Sequence, residues 1–588
     1  MSADTTPGPG RTGAEETEPA EAGEKRGSGG GTGAPEDRIE ERTEAADRPD
    51  SGAAGPMGRA AGFVGRVDGL VGRADGFLRR RAHPLALGAT VVLAACAYAV
   101  LGLVKLATFR ASIFDLVIFD QAVRGYAGFG PPAAPAVGVN YGLGMDFLQL
   151  ADHFSPILAV LAPLYWIHDG PQTLIVAQAV LLALAAVPVW HYAARRLGPV
   201  PAHLVAVAYA VSWPVAQTAG FDFHEVAFVP LLSAIMIERF DAGRRGVAVL
   251  AALGLLLVKE DMGLLVAGFG VYLLVTRRRL EGTAFVLLAL AALVTIRGVL
   301  MPLAGAGETG FHWAYGRWGA TVGEAAAGLA RDPLGALWQF VSPEIKVDTL
   351  AFLFWPVLLT ALFSPLTLMA LPMIAERFLG DRPQWWGPDH HYNAFIVATL
   401  LCAGVDGVDR LGRRLRSRRA ERGPDTAGSP RTENPDAGAD AGRGGSRDAG
   451  RGGAGPDTRR EVGRYWAVGV CMVAITLIPR FALGNLVEWS FYEGDPHVAA
   501  AREAVAAVPD GVVVEAVNHV GPALTSRTTV LLWGPVARDA PWIVADVDRW
   551  SFPFGAHELQ RQRVDEALRS GYRPVFERDG YIVLNRPS

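Results

Sequence analysis

The sequence predicts a polytopic α-helical membrane protein with a small α/β domain at its carboxyl end. Half of the 588 residues are hydrophobic, only 19% are charged, and the apolar residues cluster into long runs. A membrane span needs about 20 apolar residues, or fewer where a short helix is buried in protein. A soluble enzyme of this length would divide into domains with charged surfaces, so that class is excluded for most of the chain.

Charge and cysteine usage exclude further classes of protein. The formal net charge of −4 gives no basis for binding nucleic acid. Cys96, Cys402 and Cys471 all lie inside apolar runs. Neither a disulfide framework nor a thiolate metal site is therefore expected.

Two low-complexity segments border the apolar runs. Residues 1–60 are rich in Gly, Ala, Glu, Thr and Pro. They cannot bury enough surface to offset their chain entropy, so we predict a disordered tail. Residues 61–83 are predicted to be a cytoplasmic juxtamembrane segment. Residues 410–463 begin with a basic run and continue in Arg, Gly, Asp and Pro, which predicts a disordered basic cytoplasmic loop.

The membrane domain is predicted to cover residues 84–409, and a last transmembrane helix residues 464–484. Arginine clusters mark the cytoplasmic side, which gives about eleven spans in the plasma membrane, with the N-terminus cytoplasmic and the C-terminus extracytoplasmic. The predicted helices lie near 84–107, 171–193, 200–219, 225–240, 246–259, 262–276, 282–303, 348–363, 365–379, 391–408 and 464–484. The clusters used are Arg195–Arg196, Arg239, Arg244–Arg245 and Arg277–Arg279.

The same rule decides two ambiguous segments. The apolar run 153–168 is predicted to be an interfacial or re-entrant helix, because counting it as a span would place Arg195 and Arg196 outside. The run 246–276 is predicted to be a hairpin of two short helices, because both of its ends carry arginines. Its turn, Lys259–Asp261, would then lie on the outer side.

Three outer regions follow: loops 108–170 and 304–347, and the tail 485–588. The tail is predicted to be an extracytoplasmic α/β domain, because strand-like and helix-like segments alternate in it. In order, it is predicted to contain a helix at 498–508, strands at 511–517, 528–533 and 542–547, a helix at 557–570 and a strand at 581–584.

Two carboxylates directly after the first span are the candidate catalytic residues. An ionised carboxylate at a membrane interface loses hydration unless something compensates, which favours a functional role for Asp115 and Asp120. Asp120 has an ordinary alternative, because Arg124 lies four residues further on and predicts a helical ion pair. Asp115 has no such partner.

Further polar side chains interrupt apolar segments on the outer side and are candidate substrate-binding residues. Asp152 could instead cap a helix, and the Lys-Glu-Asp turn could be a self-neutralised turn at the interface. No cofactor is indicated, but a divalent cation at the Asp222–Glu225 turn remains an alternative. Arg297, inside a span, is a further residue that could bind an anion. The candidates are Asp152, His153, Asp222, His224, Lys259, Glu260, Asp261, Arg377 and His391.

Four motifs that occur in order resemble a bacterial membrane family, domain of unknown function 2079. The likeness extends over roughly residues 108–588, apart from the low-complexity insert. The motifs are Phe114-Asp115 with Phe119-Asp120-Gln121, His153-Phe154-Ser155-Pro156, Phe221-Asp222-Phe223-His224 and Lys259-Glu260-Asp261.

The layout is also distantly similar to glycosyltransferase superfamily C, whose members take sugars from polyprenyl-phosphate carriers. That resemblance implies a catalytic acidic residue at Asp115 and a donor-phosphate region at Lys259. It implies a transferase that moves a sugar from the carrier to a cell-envelope acceptor on the outer face, with the lipid bilayer and no nucleic acid as partner. The alternative is a transporter or glycolipid-binding membrane protein without catalysis.

Overall fold

A computed structural model describes residues 56–307, 312–421 and 458–587 of the chain. The two segments predicted to be disordered are residues 1–60 and 410–463. Of these, residues 1–55 and 422–457 lie outside the described residues. The edges of both are helical, because the first helix begins at Pro56 and helices extend to Glu421 and from Thr458. From Asp75 onward the chain forms one compact unit.

The first half of this unit is built from apolar α-helices, several of which begin with proline in their first turn. Proline suits that position because its fixed φ is helical and the missing N–H would lack an intrahelical partner. Proline opens Pro171–Leu184, Pro199–Ala210 and, at its second residue, Trp213–Gly220. The other long helices are Pro56–Ala107, Ile118–Ala127, Ala186–Leu197, Phe228–Asp241, Arg245–Leu256, Met262–Val275 and Arg279–Thr295.

The second half contains shorter helices and two long ones. The long helices are Ala394–Glu421 and Thr458–Thr476. The shorter ones are Val322–Arg331, Pro333–Val341, Ile345–Phe354, Leu371–Leu379, Pro496–Ala506 and Glu558–Arg569. The remaining helices are Pro135–Asn140, Gln149–Asp152, Ala162–Tyr165, Met301–Leu303, Pro383–Trp386 and Gly521–Leu524, and the 3-10 turns include Pro156–Leu161 and Glu225–Ala227.

Five helical stretches among the described residues are long and apolar enough to cross a membrane. They are Arg81–Ala107, Pro171–Leu197, Pro199–Gly220, Arg279–Leu303 and Glu461–Arg480. All five coincide with predicted spans. Of the remaining predicted spans, 391–408 falls mostly on the long helix Ala394–Glu421 and the others fall on shorter or broken helices, so the count of about eleven stays a prediction.

The predicted hairpin is confirmed as two helices. Arg245–Leu256 and Met262–Val275 are separated by residues 257–261, which hold the Lys-Glu-Asp turn. A helix of 14 residues is about 21 Å long, which is less than the thickness of the hydrocarbon core. Short helices of this kind leave the turn inside the protein.

The predicted helix at 348–363 is wrong as a continuous element. The chain forms an α-helix only over Ile345–Phe354 and then two 3-10 turns, Trp355–Val357 and Thr360–Phe363. Pro356 cannot donate to a helical ladder, and Leu358 and Leu359 adopt left-handed φ angles of 52° and 56°. The following segment begins similarly, with the 3-10 turn Pro365–Met369 before Leu371–Leu379.

The tail contains a five-stranded mixed sheet. Its strands are β1 (Val513–Ala516), β2 (Thr529–Leu532), β3 (Trp542–Asp546), β4 (Arg573–Arg578) and β5 (Tyr581–Asn585). The spatial order is β2-β1-β3-β5-β4, with β1 parallel to both β2 and β3, and β5 antiparallel to β3 and β4. The sequence analysis missed β4, because this edge strand has no buried side chain and therefore no apolar pattern.

The sheet shares one hydrophobic core with residues 108–170, the segment predicted to be the first outer loop and called so below. Ile113 and Val117 pack in the same buried cluster as Val514 and Val530 of the sheet. A Cβ atom at Gly521 would lie 2.2 Å from the side chain of Ile113, so this close approach needs glycine. The tail therefore packs directly against the segment that carries Asp115.

Candidate functional site

A cavity of about 770 Å³ is enclosed by the first outer loop, the hairpin turn, the loop after the helix Arg279–Thr295, the segment 376–395 and the tail. Its wall mixes charged, aromatic and apolar side chains. The polar and charged ones are Ser112, Asp115, Asp152, His153, His224, Lys259, Glu260, Asp261, Arg297, His312, Glu376, Arg377, Arg382, Gln384, His390, His391 and Asn518.

Nine of the eleven predicted site residues line this cavity. They are Asp115, Asp152, His153, His224, Lys259, Glu260, Asp261, Arg377 and His391. The fold brings together polar residues from four segments that are far apart in sequence. These segments are the first outer loop, the Asp222–Glu225 turn, the hairpin turn and the helix start near His391. Asp120 and Asp222 lie elsewhere.

Asp115 has an unusual backbone conformation. Its φ of 79° and ψ of −73° fall in the region of the rare γ-turn, which is strained for a residue with a side chain. The strain is held by the residues that precede Asp115: the N–H of Ile113 donates to the backbone and side-chain oxygens of Asn518 at 2.9 Å. Ser112 donates to Asp222 through both its N–H and its hydroxyl. Strain maintained in this way is typical of functional positions.

The carboxyl group of Asp115 faces the cavity with 28% of its side chain exposed. Burial raises its pKa to about 6. The attraction of His224 and His153 opposes this rise, whereas repulsion by Asp222 and Glu225 adds to it. His224 Nε2 is 3.9 Å from Asp115 Oδ1. A carboxylate with a pKa near neutral is suited to accept a proton from a reacting hydroxyl.

A chain of charged side chains extends behind Asp115. His224 Nδ1 is 2.6 Å from Glu225 Oε2, and Lys259 Nζ donates to Glu225 Oε1 at 3.1 Å. Glu225 is fully buried, and its carboxylate is compensated from both sides. The ring of His391 stacks on His224 with 3.9 Å between ring centroids. These contacts fix the imidazole of His224 beside Asp115.

The other two residues of the hairpin turn have different environments. Glu260 accepts hydrogen bonds from His153 Nδ1 at 3.0 Å and from the N–H of Phe154 at 3.1 Å. Asp261 is also buried, and burial together with repulsion by Glu260 raises its pKa to about 7. The Lys-Glu-Asp turn is therefore not an exposed, self-neutralised turn, because its three side chains face into the protein.

Asp120 is a structural residue rather than a cavity residue. Its carboxylate is fully buried and accepts hydrogen bonds from Arg124 at 2.9 Å, from Tyr165 at 2.7 Å and from Thr525 at 2.8 Å. The predicted pair with Arg124 is confirmed. A catalytic Asp120 stays a prediction, although protein groups already occupy its carboxylate.

Asp222 is likewise turned away from the cavity. Its Oδ1 lies 2.9 Å from Lys105 Nζ, and its Oδ2 binds Ser112. The carboxylate of Asp222 therefore does not join His224 and Glu225, and a cation at the Asp222–Glu225 turn stays a prediction. Asp222 instead supports the backbone that leads to Asp115.

Arg377 lines the cavity but is engaged by neighbouring protein groups. Its guanidinium donates to the backbone oxygens of Trp385 and Tyr392 and to Asn393 Oδ1, at 2.7–2.8 Å. Lys259 is engaged as well, by Glu225. The cation best placed for an anionic ligand is Arg297, which is exposed to the cavity and makes no hydrogen bond or ion pair with the residues that the structure describes.

Among the described residues, Asp152, His153 and His312 form the group in the cavity that could hold a metal ion. One ligand atom of each lies within 4.8 Å of the others, and Asp152 Oδ1 is 2.9 Å from His312 Nε2. Burial opposes ionisation of Asp152, but the hydrogen bond from His312 and the charge of His153 lower its pKa. Asp152 is therefore the ionised ligand that a divalent cation requires.

The sequence analysis missed His312, Trp313, Tyr315 and Arg382, all of which line the cavity. The signal available for the first three was a run of ring side chains in a loop otherwise rich in Gly and Ala. Tyr315 donates its hydroxyl to Glu376 Oε1 at 2.9 Å, which joins that loop to the helix Leu371–Leu379. Nothing in the local sequence indicates that Arg382 packs on Trp385 and approaches His312.

Comparison with known families and structures gives one match by family and several by shape. The family described as "Predicted membrane protein (DUF2079)" matches residues 105–423, so the match ends before the tail that the sequence likeness was expected to include. No curated protein matches the chain.

Three solved structures illustrate the similarity in shape. ArnT from Cupriavidus metallidurans bound to undecaprenyl phosphate is 13% identical, with a TM-score of 0.45 over 85% of this chain and 98% of that one. Apo ArnT is 15% identical, with a TM-score of 0.47 over 84% and 98%. The oligosaccharyltransferase AglB from Archaeoglobus fulgidus, in complex with an inhibitory peptide and a dolichol-phosphate, is 12% identical, with a TM-score of 0.40 over 87% and 75%.

Proposed function

The chain belongs to the DUF2079 family of predicted membrane proteins, and we propose that this membrane protein is a glycosyltransferase. It would move a sugar from a polyprenyl-phosphate carrier to a hydroxyl group of a cell-envelope acceptor. One observation carries the proposal: the strained, partly exposed carboxyl group of Asp115, with a pKa of about 6, faces a large polar cavity.

The cavity has a size and composition that suit a sugar. Ligand sites of about 300–1,000 Å³ enclose small molecules, and this cavity of about 770 Å³ lies within that range. Carboxylates and imidazoles that can bind hydroxyl groups lie beside aromatic rings, among them Trp385 and Tyr392. A lipid-linked sugar needs both kinds of contact.

In the proposed step Asp115 is the general base. Its ionised carboxylate takes the proton of the acceptor hydroxyl while the acceptor oxygen forms a bond to the anomeric carbon of the sugar. The bond from that carbon to the phosphate oxygen breaks, and its electron pair leaves with the polyprenyl phosphate. His224, fixed between Asp115 and Glu225, stabilises the carboxylate position.

The departing phosphate gains negative charge, which a cation in the cavity would stabilise. We assign this role to Arg297, because Lys259 and Arg377 already have protein partners. Lys259 donates to Glu225, and Arg377 donates to three protein oxygens. Arg297 lies in a π-helical turn, Ile296–Leu300, at the end of an apolar helix. Such turns occur frequently at functional sites.

Two further features belong to the proposal. Any divalent cation that the reaction requires would be held by Asp152, His153 and His312, because they form the metal-compatible group of the cavity. The cavity would open to the outer face of the membrane. This orientation rests on the arginine clusters between predicted spans, which mark the opposite side as cytoplasmic.

The test is transfer by the full chain reconstituted in liposomes. Wild type is incubated with a panel of radiolabelled polyprenyl-phosphate sugars and a cell-envelope fraction, and labelled acceptor is counted. We expect one donor to be consumed, and we expect Asp115→Asn to reduce turnover on the order of 10²- to 10⁴-fold.

The matched control is Asp146→Asn, an exposed carboxylate in the same outer loop, which should transfer at the wild-type rate. Equal turnover by wild type and Asp115→Asn would overturn the assignment of the base. Consumption of no donor by wild type would reject the transferase and favour transport or glycolipid binding.

A further inference from the structure

The tail contains a second cluster of metal-compatible side chains, which does not line the cavity. His497 is the second residue of the helix Pro496–Ala506, His519 lies just after β1, and Asp546 is the last residue of β3. The side chains of His497 and Asp546 are 7% and 0% exposed, and that of His519 is 22% exposed. The cluster is thus buried, with one side open to solvent.

The three ligand atoms point at one another. His497 Nε2 is 2.7 Å and His519 Nε2 is 3.5 Å from Asp546 Oδ2, and all three lie within 4.8 Å. Ligands bound tetrahedrally at about 2.0–2.1 Å from zinc are roughly 3.4 Å apart. The cluster therefore needs only small side-chain movements to surround one ion.

The carboxylate is prepared as a ligand by its own neighbours. Its Oδ1 accepts hydrogen bonds from the N–H groups of Asp548 and Arg549, so Oδ2 is left facing the two imidazoles. A carboxylate whose second oxygen is held by backbone donors in this way is typical of metal ligands.

The topology of the sheet gives an independent reason to expect a ligand here. The chain leaves β1 toward β2 on one side, and β3 lies on the other side of β1. In sheets with parallel strands, ligands bind outside the carboxyl ends of the strands where the direction of connection reverses. His519 and Asp546 lie at the carboxyl ends of these two strands.

We propose that His497, His519 and Asp546 bind a divalent transition metal of the zinc class. Two imidazoles and one carboxylate are a common ligand set for zinc, and the exposed side of the cluster leaves a fourth position for water. The hydroxyl of Tyr581 lies 2.8 Å from His519 Nε2 and would compete with the ion for that nitrogen.

The ion would connect the tail to the proposed catalytic loop. His519 follows Asn518, whose backbone and side-chain oxygens accept the N–H of Ile113. An ion that fixes His519 would therefore fix the residue that holds the backbone leading to Asp115. The role is structural, because none of the three ligands lines the cavity.

The test uses the purified full chain in a His312→Ala background, which removes the metal-compatible group of the cavity. After treatment with chelator the protein is titrated with Zn²⁺ and, in parallel, with Co²⁺, whose visible absorption reports tetrahedral coordination. We expect one bound equivalent and a rise of the thermal midpoint with Zn²⁺. His519→Gln and Asp546→Asn should each weaken Zn²⁺ binding at least tenfold and abolish the rise.

Two control variants keep the result interpretable. Tyr581→Phe removes the competing hydroxyl and should bind Zn²⁺ at least as tightly as the background protein. His557→Gln changes an exposed histidine outside the cluster and should have no effect. The proposal is overturned if the background protein binds no Zn²⁺, or if a folded His519→Gln protein binds Zn²⁺ and Co²⁺ as the background protein does.

Discussion

Asp115 and Asp120 lie five residues apart, yet the fold gives their carboxylates different tasks. Asp120 is satisfied by three protein donors, whereas Asp115 faces the cavity in a strained conformation. Sequence reasoning could select both, because each is a charge in an apolar run. The spacing of Asp120 to Arg124 already favours Asp115, but the further partners Tyr165 and Thr525 could not be predicted because they come from distant parts of the chain.

The pKa of Asp115 predicts the pH dependence of transfer. The base must be ionised, so kcat/KM should fall about tenfold for each pH unit below its pKa of about 6 and level off above it. The measurement is the pH profile of kcat/KM for the acceptor in wild type. In Asp146→Asn, kcat/KM should fall over the same pH range as in wild type. A fall that begins only near pH 4, as for an ordinary carboxyl group, would contradict the assignment of Asp115 as the base.

The buried contacts of Asp120 predict that its carboxylate stabilises the fold. Asp120→Asn removes a buried charge from Arg124, Tyr165 and Thr525 and should lower the free energy of unfolding by about 2 kcal/mol. The matched control is Asp169→Asn, because Asp169 pairs with the same arginine but its side chain is 56% exposed. That change should cost less than about 1 kcal/mol. Equal thermal midpoints of the two variants in detergent would show that Asp120 is not structural.

The position of Arg297 in the cavity predicts that its charge contributes to donor binding and to turnover. Arg297→Gln removes a cation that would attract the phosphate in the ground state and more strongly in the transition state, so KM for the donor should rise and kcat should fall. Arg480→Gln, an exposed arginine at the end of another apolar helix, is the control and should leave both unchanged. Unchanged kinetics in Arg297→Gln would remove this residue from the donor site.

Among the elements, those with a strong apolar pattern could be predicted best. The five long spans and the two helices of the hairpin were found because uninterrupted apolar runs have few alternatives in a membrane. The breaks within the region 345–379 could not be predicted in this way. Pro356 and Pro365 divide that region into 3-10 turns, which a count of apolar residues does not detect. The edge strand β4 was missed because its side chains are not buried.

The contact between the sheet and the first outer loop predicts that the tail acts on turnover. Asn518→Ala removes the side-chain oxygen that accepts the N–H of Ile113, so the turn at Asp115 should lose part of its support. We expect turnover to fall on the order of tenfold, the effect of displacing a reacting group slightly. Asn585→Ala, at the half-buried end of β5, is the control and should leave turnover unchanged. Equal turnover in both variants would contradict a positioning role.

At the scale of the whole molecule, the tail and the first outer loop form one buried core, which the sequence could not indicate. Alternation of strands and helices predicts an α/β fold, but not what covers its faces. Ile113, Val117 and Ile118 share a core with residues of the tail that are about 400 positions away in sequence. These long-range contacts assemble the cavity. The sequence could therefore indicate most of the polar residues that line it, but not how they are arranged.

The orientation of the chain is a prediction of the arginine distribution. In a variant without the three native cysteines, Val536→Cys in the tail should react with an impermeant maleimide on intact cells, because its exposed side chain would lie outside. Leu280→Cys, exposed next to Arg277–Arg279, should react only after permeabilisation. The reverse pattern would invert the topology and place the cavity on the cytoplasmic side.

The most direct test of the central claim is a cryo-electron microscopy map of the Asp115→Asn variant with a polyprenyl-phosphate sugar. The account predicts the sugar beside position 115, the phosphate at Arg297 and the polyprenyl chain leaving the cavity toward lipid. A cavity open to both sides of the membrane, or a donor bound away from position 115, would contradict it.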